Sequence, residues 1–181
     1  MDTKIIGDTA KFAVCYTFID DSRETEISMF VDHQNILAFK RGDQIYSTRW
    51  NLDELAFWLR DFLDHMTEDP YPVDISGEYA AIKDRNAREF DSDDDEEFDA
   101  YYDKLEDWNL RHRWHTASSG AILSDVYFQL VGDHVEISWN NEDTEEEVEF
   151  VHKLGGAKIE KETFISVIAS FLKEYANHWY K

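Results

Sequence analysis

Arg111, His112, Arg113, Trp114 and His115 are the residues of this chain best suited to chemistry, since histidine can act as a general base or metal ligand and arginine can hold an oxyanion. The spacing of His112 and His115 is compatible with one helix face, as a shared metal ion would require. No third ligand stands nearby, so the cluster is better read as positive charge at a helix C-terminus, where the dipole favours it. Ser118, Ser119 and Gly120 suggest a nucleophile or an anion-binding turn, but the chain has no Gly-x-Ser-x-Gly elbow, phosphate loop or Gly-x-Gly-x-x-Gly. They are read as a helix-ending loop. Asp91, Asp93 and Asp95 alternate as calcium ligands do, yet Glu96 stands where an EF-hand needs glycine and Tyr102 where it needs the closing glutamate. No catalytic, cofactor-binding or metal-ligating residue is therefore assigned and no enzyme activity is expected. Arg111, His112 and His115 are what keeps an unrecognised site open.

Charge is the larger signal. The chain has 40 acidic residues against 18 Lys and Arg, a net charge of −22. Seven of the nine residues from Asp91 to Asp99 are acidic, as are six of the eight from Glu142 to Glu149, with no Lys or Arg in either run. Such a surface repels nucleic acid and anionic membranes and steers basic proteins toward it. Solubility alone is the plain alternative, because charge runs are usually solvated faces. The expected partner-binding residues are Glu142, Asp143, Glu145, Glu146 and Glu147 in the second run and Asp93, Asp94 and Asp95 in the first. Trp58 and Trp114 fit the apolar stripes least well and are added as exposed anchors of an interface. The other tryptophans are read as core rather than as a stacking platform for bases.

The elements that must position these residues follow from periodicity. Phe12 to Asp20 and Glu26 to Asp32 read as strands around a polar turn, and Asn35 to Phe39 with Gln44 to Thr48 as a hairpin in which Gly42 supplies a positive φ. Asn51 and Glu54 suggest a capped helix start, and Leu52, Leu55, Ala56, Leu59, Phe62, Leu63 and Met66 repeat at helical spacing until Pro70 and Pro72. Val73 to Phe90 is mixed and carries no assignment. A helix is expected from about Glu96 to about Trp114, with Phe98, Tyr101, Tyr102, Leu105 and Trp108 on its apolar side. Val126 to Val131 and His134 to Trp139 form a hairpin around Gly132-Asp133. An exposed acidic loop then leads to a strand over Val148 to Leu154, ended by Gly155-Gly156. Phe164, Ile165, Ile168, Phe171, Leu172, Tyr175 and Trp179 mark an amphipathic C-terminal helix, whose face packs on a sheet or on a second copy of the chain.

The 12 Phe, 9 Tyr and 6 Trp exclude a wholly disordered acidic chain, because their burial offsets the entropy of ordering. The fold class expected is α+β, with antiparallel hairpin sheets against two or three amphipathic helices. The 181 residues are read as one domain, with sub-structure at 1–72 and 95–181 joined by a polar, acidic segment near 73–95. Cys15 is the only cysteine, which excludes an intramolecular disulfide and suits a reducing cytoplasm. Met1 to Gly7 lacks the features of a signal peptide, and no apolar run approaches the ~18 residues of a membrane span.

Val31 to Met66, with Ile45-Tyr46-Ser47-Thr48-Arg49-Trp50 and Leu55-Ala56-Phe57-Trp58-Leu59, resembles the region ahead of the catalytic domain in bacterial ImmA/IrrE-like zinc metallopeptidases. Trp108, Arg111-His112, Ala117 to Ala121, Asp125 to Phe128, Gly132-Asp133 and Val135 to Trp139 resemble its continuation. The peptidase signature His-Glu-x-x-His is absent, so peptidase activity does not carry over. The resemblance implies a stand-alone accessory domain of a bacterial conflict or phage-defence system.

The function expected is thus a non-enzymatic, cytoplasmic protein-binding module of immunity, antitoxin or regulatory type, without cofactor. Its partner would be a basic toxin, nuclease or defence component, and it would touch neither nucleic acid nor membrane. The alternative is a DNA mimic inhibiting a DNA-binding or restriction enzyme, its two runs aligned with Asp53, Asp61 and Asp64 on the first helix.

Overall fold

The computed structural model describes residues 3–19, 24–114, 123–142 and 148–179, with nothing said of the Trp179 side chain. It is an α+β fold of three antiparallel sheets and four helices among the described residues. The first sheet runs β1 (Lys4–Asp8), β2 (Phe12–Phe18), β3 (Glu24–Val31) and β4 (Gln34–Asn35), and β7 (Thr48–Asn51) also pairs with β3. Along β3 the alternation of residue types buries Thr25, Ile27, Met29 and Val31 on one face, as period-two patterning requires. The sequence reading places no strand before Phe12. β1 is an edge strand that buries only Ile6, too little to leave a pattern.

The hairpin around Gly42 exists as β5 (Phe39–Arg41) and β6 (Gln44–Tyr46), and Gly42 has φ +58°. It is shorter than expected, because Gln34–Asn35 and Thr48–Asn51 pair with β3 instead. β11 (Glu149–Phe150) joins β5, burying Phe39, Val148 and Phe150 together. The third sheet is ordered β12 (Leu154–Glu160), β10 (His134–Asn140), β9 (Val126–Val131), β8 (Arg113–Trp114). Gly155-Gly156 does not end a strand but lies inside β12, opposite Trp139 and Ser138. A Cβ on Gly155 would sit 2.5 Å from Trp139 Cζ2, and one on Gly156 2.5 Å from Tyr79 Cδ1, so two aromatic rings lie flat where side chains would stand.

Helix α1 (Leu52–Glu68) is capped by Asn51, whose side chain accepts from the Asp53 amide, and it buries Leu52, Leu55, Ala56, Leu59 and Met66. Helix α4 (Lys161–Trp179) buries Phe164, Ile168, Phe171 and Tyr175. Their buried faces join β2, β3, β9, β10 and β12 in one cluster, so Phe12, Met29 and Leu55 share a core with Phe128, Ile137 and Phe171. The stretches 1–72 and 95–181 both feed it. No helix among the described residues is long and apolar enough to cross a membrane.

The unassigned stretch holds α2 (Ala80–Ala87). Its first turn has no local side-chain cap; the Ala80 amide donates to Glu136 Oε1 at 2.7 Å and the Ala81 amide to Ser138 Oγ at 3.2 Å. Glu136 is 1% exposed and also accepts from Gln129 Nε2 at 2.8 Å, so a buried carboxylate on the sheet holds the positive end of the helix. Helix α3 (Asp95–His112) starts near its expected position, but stops two residues early. Arg113 and Trp114 pair with Tyr127 and Val126 across β8–β9, and that pairing replaces the last helical turn.

Candidate functional site

Asp94 is the N-cap of α3, accepting from the Glu96 and Glu97 amides, so part of the first acidic run is fixed by the geometry of a helix start. The six residues from Asp95 to Ala100 are all exposed, and the first buried residue of α3 is Leu105. The helix is held from behind. Phe90 stacks on Tyr101 with centroids 3.9 Å apart, the Tyr102 hydroxyl is 3.0 and 3.1 Å from the Arg88 and Phe90 carbonyls, and Trp108 Nε1 donates to the Pro70 carbonyl. At 1.5 Å per residue the 18 residues span roughly 27 Å. Asp93, Asp95, Glu96, Glu97, Asp99 and Asp103 thus stand in solvent beside Phe98, which sequence periodicity places on the apolar side but which is 37% exposed.

The second run divides differently. Glu142 is exposed and pairs with Arg85 at 2.8 Å, while Glu149 pairs with Lys153 at 3.1 Å, which holds its carboxyl below the usual range. Both ends of the run therefore have local partners. Asp143, Glu145, Glu146 and Glu147 lie outside the described residues, as do His115 and the Ser118-Ser119-Gly120 turn.

Neither tryptophan is the exposed anchor expected of it. Trp114 is 4% exposed, because β8 turns it into the core. Trp58 is half-buried and acts as a strut: Nε1 donates to the Leu110 carbonyl at 3.1 Å, and its ring lies 5.8 Å from that of Phe128. The apolar side chains left outward on these helices are Phe57, Phe98 and, at 61% exposure, Leu110. On α1, Asp61 and Asp64 are exposed, but Asp53 is buried and accepts from the Tyr175 hydroxyl at 2.6 Å, so it contributes nothing to an acidic face.

Arg111, His112 and Arg113 do not converge. Arg111 pairs with Asp107 and Arg113 with Asp125, both at 2.6 Å. His112 is fully buried and stacks on Trp108 at 4.3 Å with an interplanar angle of 5°. Its Nδ1 is 2.7 Å from the Phe128 carbonyl, which can only accept, so Nδ1 carries the proton. Nε2 is then a bare acceptor 3.7 Å from Asp69 Oδ2, itself bonded to His65 Nδ1 at 2.8 Å. Burial outweighs the Phe128 carbonyl and the Asp69 charge and pushes His112 down to about 4, so the ring is neutral near pH 7. No group of three His, Cys, Asp or Glu able to hold a metal occurs among the described residues.

Sequence reading misses a cleft of about 280 Å³ between the end of α2 and β8–β9, lined among others by Asp84, Arg85, Arg88, Arg113, Asp125 and Tyr127. Burial, then the Asp84 charge, pushes the Tyr127 phenol far above its ordinary value, so it stays a neutral donor. The i,i+4 spacing of Asp84 and Arg88 is the one local signal of this cleft. No protein-family model matches this chain, and no curated protein or solved structure matches it either.

Proposed function

We propose that this protein is a non-enzymatic, cytoplasmic binding module that engages a basic protein partner through the exposed face of α3. The observation that carries the reading is the stretch Asp95 to Ala100, which presents acids around Phe98 and gives no residue to the core. A helix held by contacts from Tyr101 onward, with its first six residues bare, is already in the form a complementary groove accepts. The carboxylates raise the rate of encounter and reject acidic proteins, while Phe98 supplies the desolvated contact. The resemblance to the accessory region of ImmA/IrrE-like peptidases supports a setting in bacterial conflict or phage defence, with a toxin, nuclease or defence component as partner.

The test compares proteins captured from a bacterial lysate by the wild type and by a variant with Asp95, Glu96, Glu97 and Asp99 changed to serine and Phe98 to alanine. The expected result is a basic protein retained by the wild type, released as salt rises, and absent from the variant. Equal capture by the two sinks the reading. Displacement of the captured protein by duplex DNA would instead assign α3 to mimicry of a phosphate backbone.

A further inference from the structure

Three of the chain's eight arginines line the cleft at the end of α2, in a protein whose net charge is −22. Arg113 is the most enclosed, with 18% of its side chain exposed, whereas Arg85 and Arg88 stand about half exposed at the mouth. Each guanidinium is held by a carboxylate: Arg113 by Asp125 at 2.6 Å, Arg88 by Asp84 at 3.0 Å and Arg85 by Glu142 at 2.8 Å. The two carboxylates lining the cleft, together with Glu142, leave it electrically even.

Its hydrogen-bonding capacity is not even. A guanidinium has five N–H donors and no acceptor. Arg85 and Arg113 each donate one hydrogen bond through Nη and Arg88 one through Nε, with Arg88 Nη2 also 3.0 Å from Asp84 Oδ2. Asp84, in contrast, is nearly full. Its Oδ2 takes Arg88 Nε, Arg88 Nη2 and the Tyr127 hydroxyl, and its Oδ1 takes Asn109 Nδ2. Three of these contacts crowd Oδ2, so Asp84 orients Arg88 and keeps one open lone-pair direction, on Oδ1. Arg113 Nε is buried and has no acceptor among the described residues. A buried donor without an acceptor is unfavourable, and what completes it is a ligand oxygen or water. The unspent capacity of the cleft is therefore mostly donor in character, spread over three planar forks that suit phosphate geometry.

We propose that this cleft binds a phosphate or a phosphomonoester, with Arg113 at its base and Arg85 and Arg88 closing over the oxygens. The site needs no part of the α3 docking face, and its test is independent of that reading. Inorganic phosphate and glycerol phosphate are titrated calorimetrically at an ionic strength held constant with chloride. Saturable one-to-one binding is expected, and the tighter of the two probes tells a free ion from a phosphorylated solute. Arg88→Gln and Arg113→Gln should each weaken it about 10-fold or more, as for loss of a charge-assisted fork. Glu142→Gln, which frees Arg85, should tighten it. Asp64→Asn, which removes the same charge from an exposed position on α1, should not. Should Arg113→Gln fail to fold, Arg88→Gln and Glu142→Gln decide. The proposal is overturned by absence of saturable binding of either probe into the tens of millimolar, by wild-type affinity in Arg88→Gln, or by equal tightening in Glu142→Gln and Asp64→Asn.

Discussion

Acidification from pH 7 to pH 5 should cost this protein about 2 kcal/mol through the single side chain of His112. An unfolded chain leaves the imidazole at its ordinary value of 6.5, and folding lowers it to about 4 by burial against Trp108. Between those values the unfolded state binds the extra proton, so the unfolded state is the one acid favours. The penalty is absent above about pH 6.5, grows as pH falls through that value and levels off below about 4. Its ceiling is about 3 kcal/mol, since each tenfold change in proton affinity is worth ~1.4 kcal/mol. The charged neighbours do not spoil the window. Asp69 is raised by burial but lowered more by its hydrogen bond to His65 and by the charges around it, so its carboxyl lies below the ordinary range. Arg111 and His65 both oppose a charge on His112, whereas Asp69 favours one. Urea unfolding of the wild type and of His112→Asn, from pH 4.5 to 7.5, measures the difference. Asparagine can keep an N–H toward the Phe128 carbonyl while losing the titration and the stacking. The variant should be weaker at pH 7 but flatter, and the gap between the two curves should close by about 2 kcal/mol on going to pH 5. His152, which burial also pushes down, titrates in both proteins and cancels. Parallel curves would show that His112 is not neutral in the native state, and the tautomer argument would go with it.

Glu136→Ala removes the acceptor of the Ala80 amide and of Gln129 together, and should cost about 3 kcal/mol in urea unfolding with loss of helical ellipticity from α2. Gly155→Ala drives a methyl into the buried Trp139 ring and should cost about 1–3 kcal/mol, read as a lowered Tm with a change in tryptophan fluorescence. Tyr175→Phe leaves the buried Asp53 one donor short, for a loss of about 1–3 kcal/mol that Asp53→Asn in the same background should partly recover.

What could be read from the sequence is what short-range patterning decides. The hairpin from Val126 to Trp139 needs only alternating apolar residues and a glycine that takes φ +65° in its two-residue turn. α1 and α4 announce themselves because each turns a wide stripe to one core. α2 does not, since Ala-Ala-Ile-Lys-Asp-Arg-Asn-Ala has no stripe and its capping groups lie 56 and 57 residues away. Gly155-Gly156 looks like a strand terminator until the rings of Trp139 and Tyr79 are seen to occupy the space of the missing side chains. Trp114 looks exposed only if the α3 periodicity is carried past the point where strand pairing takes over.

The acidic character of the chain shows why composition is a poor guide to a site. Asp53, Asp84 and Glu136 add to the same total as the solvated acids of α3, yet all three are buried connectors. Neutral groups contribute to holding each: the Tyr175 hydroxyl on Asp53; the Tyr127 hydroxyl and Asn109 on Asp84; the Ala80 amide and Gln129 on Glu136. A buried carboxylate persists when such donors replace its hydration, and all of these donors except Gln129, the hairpin neighbour of Glu136, come from segments distant in sequence. Asp84 also sets Arg88 in the cleft, so an acid prepares a site for an anion. Removing that one charge should therefore abolish phosphate binding rather than strengthen it. Asp84→Asn makes the chain less negative but leaves Arg88 without its partner, and the fixed fork on which the cleft depends becomes a mobile side chain. Tighter phosphate binding by Asp84→Asn, with folding intact, would show that bulk charge and not oriented donors governs the cleft.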